Sequence, residues 1–367
     1  MTKIKVLHID SEQTWRGGEN QMRLLIEGSK SKVESHLACP KNSVAAKRLH
    51  KDAKIFPAEF SGFGVLNTAF KIHKYCLQEQ IQVLDCQTSK AHSVAILVKM
   101  LNPKLKLVVH RRVDFALKSG WPNRKKYLSP LVDCFVPISE AIAGILKNYG
   151  IAEDKINTVR SAVDPAPFIG LDKAEFREKL SKEIGFDPKL PLIANVAYHT
   201  EQKGMPTLVK GLAELKKSGQ NFICLLAGEG ELTPSLKALS AELGLQDCLK
   251  FLGIRKDVAN ILSAADIFAL PSNYEGLGTS ILDALHSNCA VAASRVGGIP
   301  EMIIHQETGL LSDVGDYKCL GANLKALIDD SGMAQGMAQA GRELALERFS
   351  IDSMVSGNIA VYKDLLK

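Results

Sequence analysis

Short runs of β-branched and apolar residues alternate along this chain with helix-length amphipathic segments, almost from end to end. In the first half the runs fall at 4–9, 36–38, 83–86, 106–109, 134–136 and 156–159. In the second half they fall at 192–196, 222–227, 249–252, 267–270 and 290–293. Several are continuously apolar rather than alternating, as strands covered by helices on both faces require. Strands of this kind separated by helices predict parallel α/β layers. The pattern breaks at Asp164-Pro165-Ala166-Pro167, where two prolines each remove a backbone donor. A helix over 173–184 and a fresh strand at Leu192 follow. The chain therefore reads as two α/β domains, 1–165 and 166–347, closed by a helix over 348–367. In that last segment Ile351, Met354, Val355, Ile359, Tyr362 and Leu366 keep helical spacing behind Ser350 as a cap. Its apolar stripe is expected to pack back toward the N-terminal domain.

Composition supports this picture and narrows it. A length of 367 residues suits two cores rather than one. With 23% charged and 46% hydrophobic residues, the balance is that of a globular protein without a disordered bulk. No apolar run approaches the roughly 18 residues of a membrane span. Met1-Thr2-Lys3-Ile4-Lys5 leads straight into the first strand, so no secretory signal is expected and the cytosol is the expected location. The eight cysteines include Cys39, Cys86, Cys134 and Cys224 in strand-like runs, with no Cys-x-x-Cys pair; they read as reduced core thiols. Residues 1–165 carry 26 Lys+Arg against 15 Asp+Glu, whereas the remainder carries 20 against 25. A basic first domain suits an anionic partner, either a phosphorylated acceptor or an anionic membrane at the inner face, and reads equally as a soluble basic surface. No nucleic acid is expected.

In open parallel sheets ligands bind beyond the carboxyl ends of the strands, so the segments after each run are where chemistry is sought. Tyr198-His199-Thr200-Glu201-Gln202-Lys203-Gly204 follows the first run of the second half, and Gly228-Glu229-Gly230 the next. Then come Gly253-Ile254-Arg255, Pro271 through Ser280, and Gly297-Gly298-Ile299-Pro300-Glu301. Glycines recur there with a lysine and carboxylates. Gly276-Leu277-Gly278-Thr279-Ser280 lets backbone approach a ligand, and a helix starting near Thr279 offers free N–H groups to an anion. Lys203 adds a cation suited to a diphosphate. Glu275 precedes that helix and Asp283 lies about one turn inside it; carboxylates accept paired hydroxyl hydrogens, as a sugar or ribose presents. Asp283 reads equally as a charge favourably placed near a helix N-terminus, and Lys203 as a solvated loop lysine. In the first half, Gly17-Gly18-Glu19 opens a helix after the first strand, and His110 ends another strand beside Arg111 and Arg112.

Together these segments resemble the family 4 retaining glycosyltransferases, the "glycosyl transferases group 1" type. Glu275-Gly-Leu-Gly-Thr-Ser-Ile-Leu-Asp283 looks like that family's Glu-x7-Glu signature, and Gly297-Gly298-Ile299-Pro300-Glu301 like the turn after it. Lys203-Gly204, Gly228-Glu229-Gly230, Gly309-Leu310-Leu311, Gly17-Gly18-Glu19 and Ser161-Ala162-Val163-Asp164 extend the likeness over nearly the whole chain. The resemblance implies the GT-B fold, two Rossmann-like domains facing a central cleft, and transfer of a sugar from a UDP- or GDP-sugar. Glu275 would hold hydroxyls of the transferred sugar, Asp283 the nucleotide ribose, and Lys203 with the backbone of Gly278, Thr279 and Ser280 the diphosphate. Gly253, Ile254 and Arg255 would border the base, Gly17 and Gly18 would close over the phosphates, and His110 would line the transfer site. A glycan, lipid-linked or small-molecule acceptor is implied, with no cofactor. The chain has no Asp-x-Asp to hold a divalent ion, so no metal is expected.

Two positions depart from the pattern. Asp283 stands where the family has a second Glu, one methylene longer. Ala197-Tyr198-His199 stands where it often has Gly-Arg-Leu, so the phosphate-facing arginine is missing; His199 is a partial substitute on this reading, with Arg111 or Arg295 as other sources of charge. Rival readings are a nucleotide-sugar epimerase or phosphorylase on the same fold, or a non-catalytic sugar-nucleotide binder. A dinucleotide dehydrogenase fits less well, because Gly228-x-Gly230 continues without the third glycine of that fingerprint.

Overall fold

The computed structural model describes residues 3–60, 64–117 and 120–367. Met1 and Thr2, at the head of the run leading into the first strand, lie outside them. The chain divides into two compact units, residues 1–162 with 351–367, and residues 163–350. The sequence had placed these boundaries at 165 and 347.

In unit 1, β1 (Ile4–Ile9) leads through α1 (Gly17–Ser29) to β2 (Val33–Cys39), then α2 (Val44–Leu49) and β3 (Lys54–Pro57). The chain continues as α3 (Val65–Glu79), β4 (Val83–Cys86), α4 (Ser89–Leu101), β5 (Lys106–Arg111), α5 (Trp121–Tyr127), β6 (Cys134–Pro137) and α6 (Glu140–Asn148). Unit 2 opens with α7 (Lys173–Ile184), β7 (Leu192–Val196), α8 (Met205–Lys217), β8 (Ile223–Ala227), α9 (Thr233–Glu242) and β9 (Leu249–Gly253). It ends with α10 (Val258–Ala264), β10 (Ile267–Leu270), α11 (Thr279–His286), β11 (Ala290–Ser294), β12 (Leu310–Ser312), α12 (Tyr317–Asp329) and α13 (Ser331–Arg348). The last helix, α14 (Ile351–Leu365), belongs to unit 1.

The strands form two six-stranded sheets, ordered β3-β2-β1-β4-β5-β6 and β12-β11-β10-β7-β8-β9, with every strand pair parallel. Read from β9, the second order repeats the first. In each sheet the strand order reverses once, between β1 and β4 and between β7 and β10, leaving a crevice where successive connections leave in opposite directions.

Side chains on a strand alternate between faces, and both faces of unit 1 are used. Leu7, Leu84, Leu107 and Phe135 join one core with Ala69 and Ile72 of α3 and Val94 and Val98 of α4. Their neighbours Val6, Val83, Val108 and Val136 join another with Leu24 and Leu25 of α1 and with Met354, Ile359 and Tyr362 of α14. The predicted amphipathic stripe thus covers a sheet face. Serine, threonine and aspartate start several helices: Ser43, Thr88, Ser139, Asp172, Asp316 and Asp330 each accept a backbone N–H in the first turn. The eight cysteines are free thiols, seven of them buried. Among the described residues, no helix is long and apolar enough to cross a membrane.

Residues 156–159 do not form the strand their hydrophobicity predicts. Ile156 makes a single bridge to Phe135, and the N–H groups of Asn157 and Val159 reach the carbonyls of Phe135 and Pro137. Pro137 has no N–H to return, so the ladder stops. Conversely β3 and β12 gave no readable run; they are edge strands of 4 and 3 residues.

One contact ties α14 into the sheet by more than apolar burial. The Tyr362 hydroxyl, fully buried, donates to Asp85 Oδ2 at 2.8 Å. A hydrogen bond to a buried charge contributes about 1.5–3 kcal/mol. Tyr362→Phe keeps the ring and should lower the stability of unit 1 by that amount in equilibrium denaturation; a change below about 0.5 kcal/mol would show that Asp85 does not depend on α14.

Candidate active site

The reversal between β7 and β10 gathers most of the residues singled out in unit 2. Lys203 lies on the loop after β7 and Glu275 on the loop after β10, so they flank the crevice. Lys203 Nζ donates to Glu275 Oε2 at 2.5 Å, and the Ser272 hydroxyl adds a longer bond to the same oxygen at 3.3 Å. Glu275 is buried and Lys203 partly so. Two glycines explain how the loops come so close. At Gly204, whose φ is +62°, a Cβ would sit 1.8 Å from the Pro271 carbonyl oxygen; at Gly297, with φ +52°, it would sit 1.7 Å from that of Glu275. Any side chain there would push the loops apart. The Asn273 N–H completes the contact by donating to Gln202 O at 2.8 Å.

Next to Glu275 the chain turns into α11 through Gly278, its N-cap. No side chain caps this end, and its first turn holds no acidic residue. The N–H groups of Thr279 and Ser280 have no acceptor among the described residues. Orphan N–H groups and the positive end of the helix dipole together attract an anion. The Asp283 carboxylate, one turn along, makes no hydrogen bond or ion pair among the described residues, and burial pushes its pKa up to about 7. A desolvated, unpaired carboxylate is under-satisfied until hydroxyls or a cation reach it.

The remaining donor-site candidates divide. Gly253 ends β9 beside Gly228, whose N–H it receives at 2.8 Å, and Ile254 is exposed. The Arg255 guanidinium is committed elsewhere: it holds Asp257 at 2.7 and 2.8 Å and Glu183 at 2.5 Å, and these carboxylates raise its pKa. His199 does not replace the missing arginine. Its ring is buried, with Nδ1 2.9 Å from Thr233 Oγ1 and its edge against Phe251, and burial lowers its pKa, which keeps it neutral. The neighbouring backbone holds it there, because the His199 carbonyl accepts Leu232 N–H at 3.0 Å. Arg111 is no free cation either: it donates to the Phe115 carbonyl and lies 5.9 Å from the centre of the Tyr127 ring. Arg295 is exposed at the end of β11.

In unit 1 the carboxyl ends of β1, β4 and β5 carry a second polar group. His110 on β5 is buried, with Nε2 2.8 Å from Asp85 Oδ1, although its N–H direction misses that oxygen. Asp85 is fully buried and its other oxygen takes three contacts: His8 Nδ1 at 2.8 Å, Gln87 Nε2 at 2.9 Å and the Tyr362 hydroxyl. Burial alone would raise its pKa, but the two histidines hold it well below the usual carboxylate range. Burial lowers the pKa of His110 despite Asp85. His110 is therefore a neutral ring lying against a buried carboxylate.

Gly17 and Gly18 open α1, where Glu19 reaches back to Arg16 N at 2.6 Å. A Cβ on Gly18 would stand 3.8 Å from the Arg112 side chain, and none of the described residues comes within 4 Å of one on Gly17. Arg112 Nε and Nη1 are buried without a hydrogen-bond partner among the described residues. Asp10, just past β1, has its carboxyl pushed up to about 7 by burial and by Glu19. Reading the sequence did not single out Asp10; its only signal there is an acid directly at the end of a strand that precedes the Gly-Gly turn. Among the described residues, one group has metal-ligand geometry: Glu34, His36 and Glu79. Lys54 Nζ already bonds both carboxylates, at 2.9 and 3.1 Å. Glu34 sits near the start of β2, the opposite end of the sheet from Asp10 and Arg112.

Comparison with known proteins matches both units. The family model "Glycosyl transferases group 1" matches residues 176–344, and "Glycosyltransferase Family 4" matches residues 15–167. An N-acetyl-alpha-D-glucosaminyl L-malate synthase of Bacillus anthracis is 25% identical over 308 residues, which cover 82% of this chain and 80% of the relative. Among solved structures, a glycosyltransferase of Rickettsia africae superposes with a TM-score of 0.89 at 21% identity, covering 100% of both chains. Alr3699/HepE of Anabaena, in complex with UDP and glucose, superposes at 0.84 and 18%, covering 98% of this chain and 100% of its own. With the two models matching in tandem along most of its length, and two parallel sheets of Rossmann order beneath them, the chain belongs to the family 4, group 1 glycosyltransferases of GT-B fold.

Proposed function

We propose that this glycosyltransferase moves a sugar from a UDP- or GDP-sugar to an acceptor hydroxyl with retention of anomeric configuration and without a metal. The observation that carries this reading is the Lys203–Glu275 pair at the β7/β10 crevice, beside the open N-terminus of α11 and the unpaired Asp283. An anion and two sets of hydroxyls are what those groups lack. In this reading the donor diphosphate takes over Lys203 and the N–H groups of Gly278, Thr279 and Ser280, and Glu275 is released to accept hydroxyls of the transferred sugar. Asp283 accepts the ribose hydroxyls, and Gly253, Ile254 and Arg255 border the base through their backbone and the exposed Ile254. Gly17 and Gly18 contact the phosphates, and His110, neutral and packed against Asp85, contacts the sugar.

The bond between the anomeric carbon and the diphosphate oxygen breaks as the acceptor oxygen attacks from the same face. The acceptor proton passes to the departing phosphate. No protein nucleophile is needed; the protein stabilises the charge that develops on the leaving group. The acceptor is a glycan, a lipid-linked sugar or a small molecule, met in the cytoplasm or at the inner face of the membrane during cell-surface glycan or glycolipid synthesis. The relative named as an N-acetyl-alpha-D-glucosaminyl L-malate synthase and the neighbour in complex with UDP and glucose support a nucleotide-sugar donor. The buried, neutral His199 favours a second reading: with no cation in the arginine's place, the chain binds a nucleotide sugar and turns it over slowly or not at all.

Release of nucleoside diphosphate from UDP- and GDP-sugars separates these readings, and Glu275→Ala sharpens the test. If its contact strengthens in the transition state, the variant should lose roughly 10²-fold or more in kcat. Full turnover in Glu275→Ala, or no release by the parent chain from any donor, would count against transfer at this site.

Asp283 gives a pH signature. With its pKa near 7 in the free protein, its ionised fraction grows as pH rises through about 7, and hydroxyls donate to the ionised form. Its share of nucleoside diphosphate affinity should therefore be present above pH 7 and vanish below it. Calorimetric titration of Asp283→Asn should show affinity about 5- to 150-fold weaker at pH 8, equivalent to about 1–3 kcal/mol, and nearly unchanged at pH 5.5. Equal affinities at pH 8 would leave Asp283 as a helix-dipole charge only.

Metal independence is tested by chelation. Turnover should survive excess EDTA, and loss of activity restored by manganese or magnesium would overturn this part of the mechanism.

A further inference from the structure

The outer face of α3 carries a stripe of apolar side chains among its lysines, in addition to the apolar face turned inward. Thr68, Ala69, Ile72 and Cys76 face the core, while Leu66, Phe70 and Leu77 stand 70%, 48% and 57% exposed. With His73 between them they run at i, i+4, i+7 and i+11, one continuous stripe along a helix of 15 residues. The packed neighbour α4 adds exposed Met100 and Leu101 in its last turn. An amphipathic helix normally buries its apolar positions, and exposed apolar side chains gathered in one stripe mark an interaction site.

The charge around this face has one sign. Residues 64–106 contain six lysines against two acids; of the acids, Asp85 is fully buried and Glu79 is held by Lys54 at 3.1 Å. Lys99 is tied to Asp133. Lys71, Lys74 and Lys104 are exposed and make no ion pair among the described residues. The Lys74 ammonium lies 4.8 Å from the centre of the Phe70 ring, so the aromatic body and the cation share one spot, as at a membrane interface.

Resting on the reading that the enzyme works peripherally at a membrane, we propose that the Leu66–Phe70–Leu77 face of α3, with Met100 and Leu101 of α4, is the surface that docks on an anionic bilayer. The apolar side chains enter the headgroup boundary and Lys71, Lys74 and Lys104 meet the lipid phosphates. A second copy of the chain is disfavoured as the occupant. A two-fold contact sets the same patch against itself and would bring these lysines together.

Flotation of the full chain with vesicles tests this. On phosphatidylglycerol/phosphatidylcholine vesicles at low salt the parent chain should bind, and at 0.5 M salt or on pure phosphatidylcholine binding should fall sharply. The exposed double substitution Phe70→Ser/Leu77→Ser, and separately Lys71→Glu/Lys74→Glu, should each cut binding to anionic vesicles by about tenfold or more. Thermal melting should stay unchanged, as should turnover of a soluble acceptor. If the parent binds and both variants bind equally well, the docking face lies elsewhere and the peripheral reading stands. If the parent binds no vesicle, both fail. A parent dimer that either variant dissolves would assign the stripe to self-association instead.

Discussion

The candidate site depends on the parting of two neighbouring strands. β7 and β10 are hydrogen-bonded side by side, yet their outgoing connections leave in opposite directions. A gap must open above them. The loops narrow the gap instead of closing it. Gly204 rests on the Pro271 carbonyl and Gly297 on that of Glu275, approaches that no residue with a Cβ could make. That packing carries a cation and a carboxylate to hydrogen-bond distance across the crevice, while the next helix presents its uncapped N-terminus. The ion pair is thus a consequence of topology and of two glycines more than of the charges themselves.

Unit 1 meets the same end-of-strand problem in another way. Asp85, buried at the carboxyl end of β4, would be costly as an ion without partners. His8 from β1, Gln87 from the following loop, Tyr362 from α14 and His110 from β5 surround it. The network ties the last helix, far away in sequence, to a histidine at a strand end. It also explains why His110 is a ring held in place and not an exposed acid or base. Beside it Asp10 Oδ2 and Arg112 Nε and Nη1 are buried without a hydrogen-bond partner among the described residues. A polar end to a sheet otherwise lined by valine and leucine is where a ligand can still be bonded.

Most of the fold could be read from the chain because each central strand is apolar on both faces and each helix separates two of them. Where reading failed, the reason is local. β3 begins with Lys54 and ends with Pro57, so it has no run to read, and as an edge strand it needs none. Residues 156–159 had the run but lacked a donor opposite them at Pro137. Single side chains were harder. His199 and Arg255 sit in loops whose spacing suits a phosphate or a base, yet Thr233, Glu183 and Asp257, 34, 72 and 2 residues away, hold them.

The sequence by itself determined the two parallel α/β units, their linker, the returning terminal helix and the loops that carry glycine with charge. These follow from periodicity and from the few residues that tolerate a tight turn, both of which are local properties. Only the tertiary structure decided which charges remain available. Lys203 and Glu275 were each read as facing a ligand, and the fold pairs them across the crevice, whereas the Asp283 carboxylate has no partner among the described residues. Whether a charge is spent or free depends on what lies within about 3 Å of it, and in a doubly wound sheet those neighbours come from distant segments brought together by the strand order.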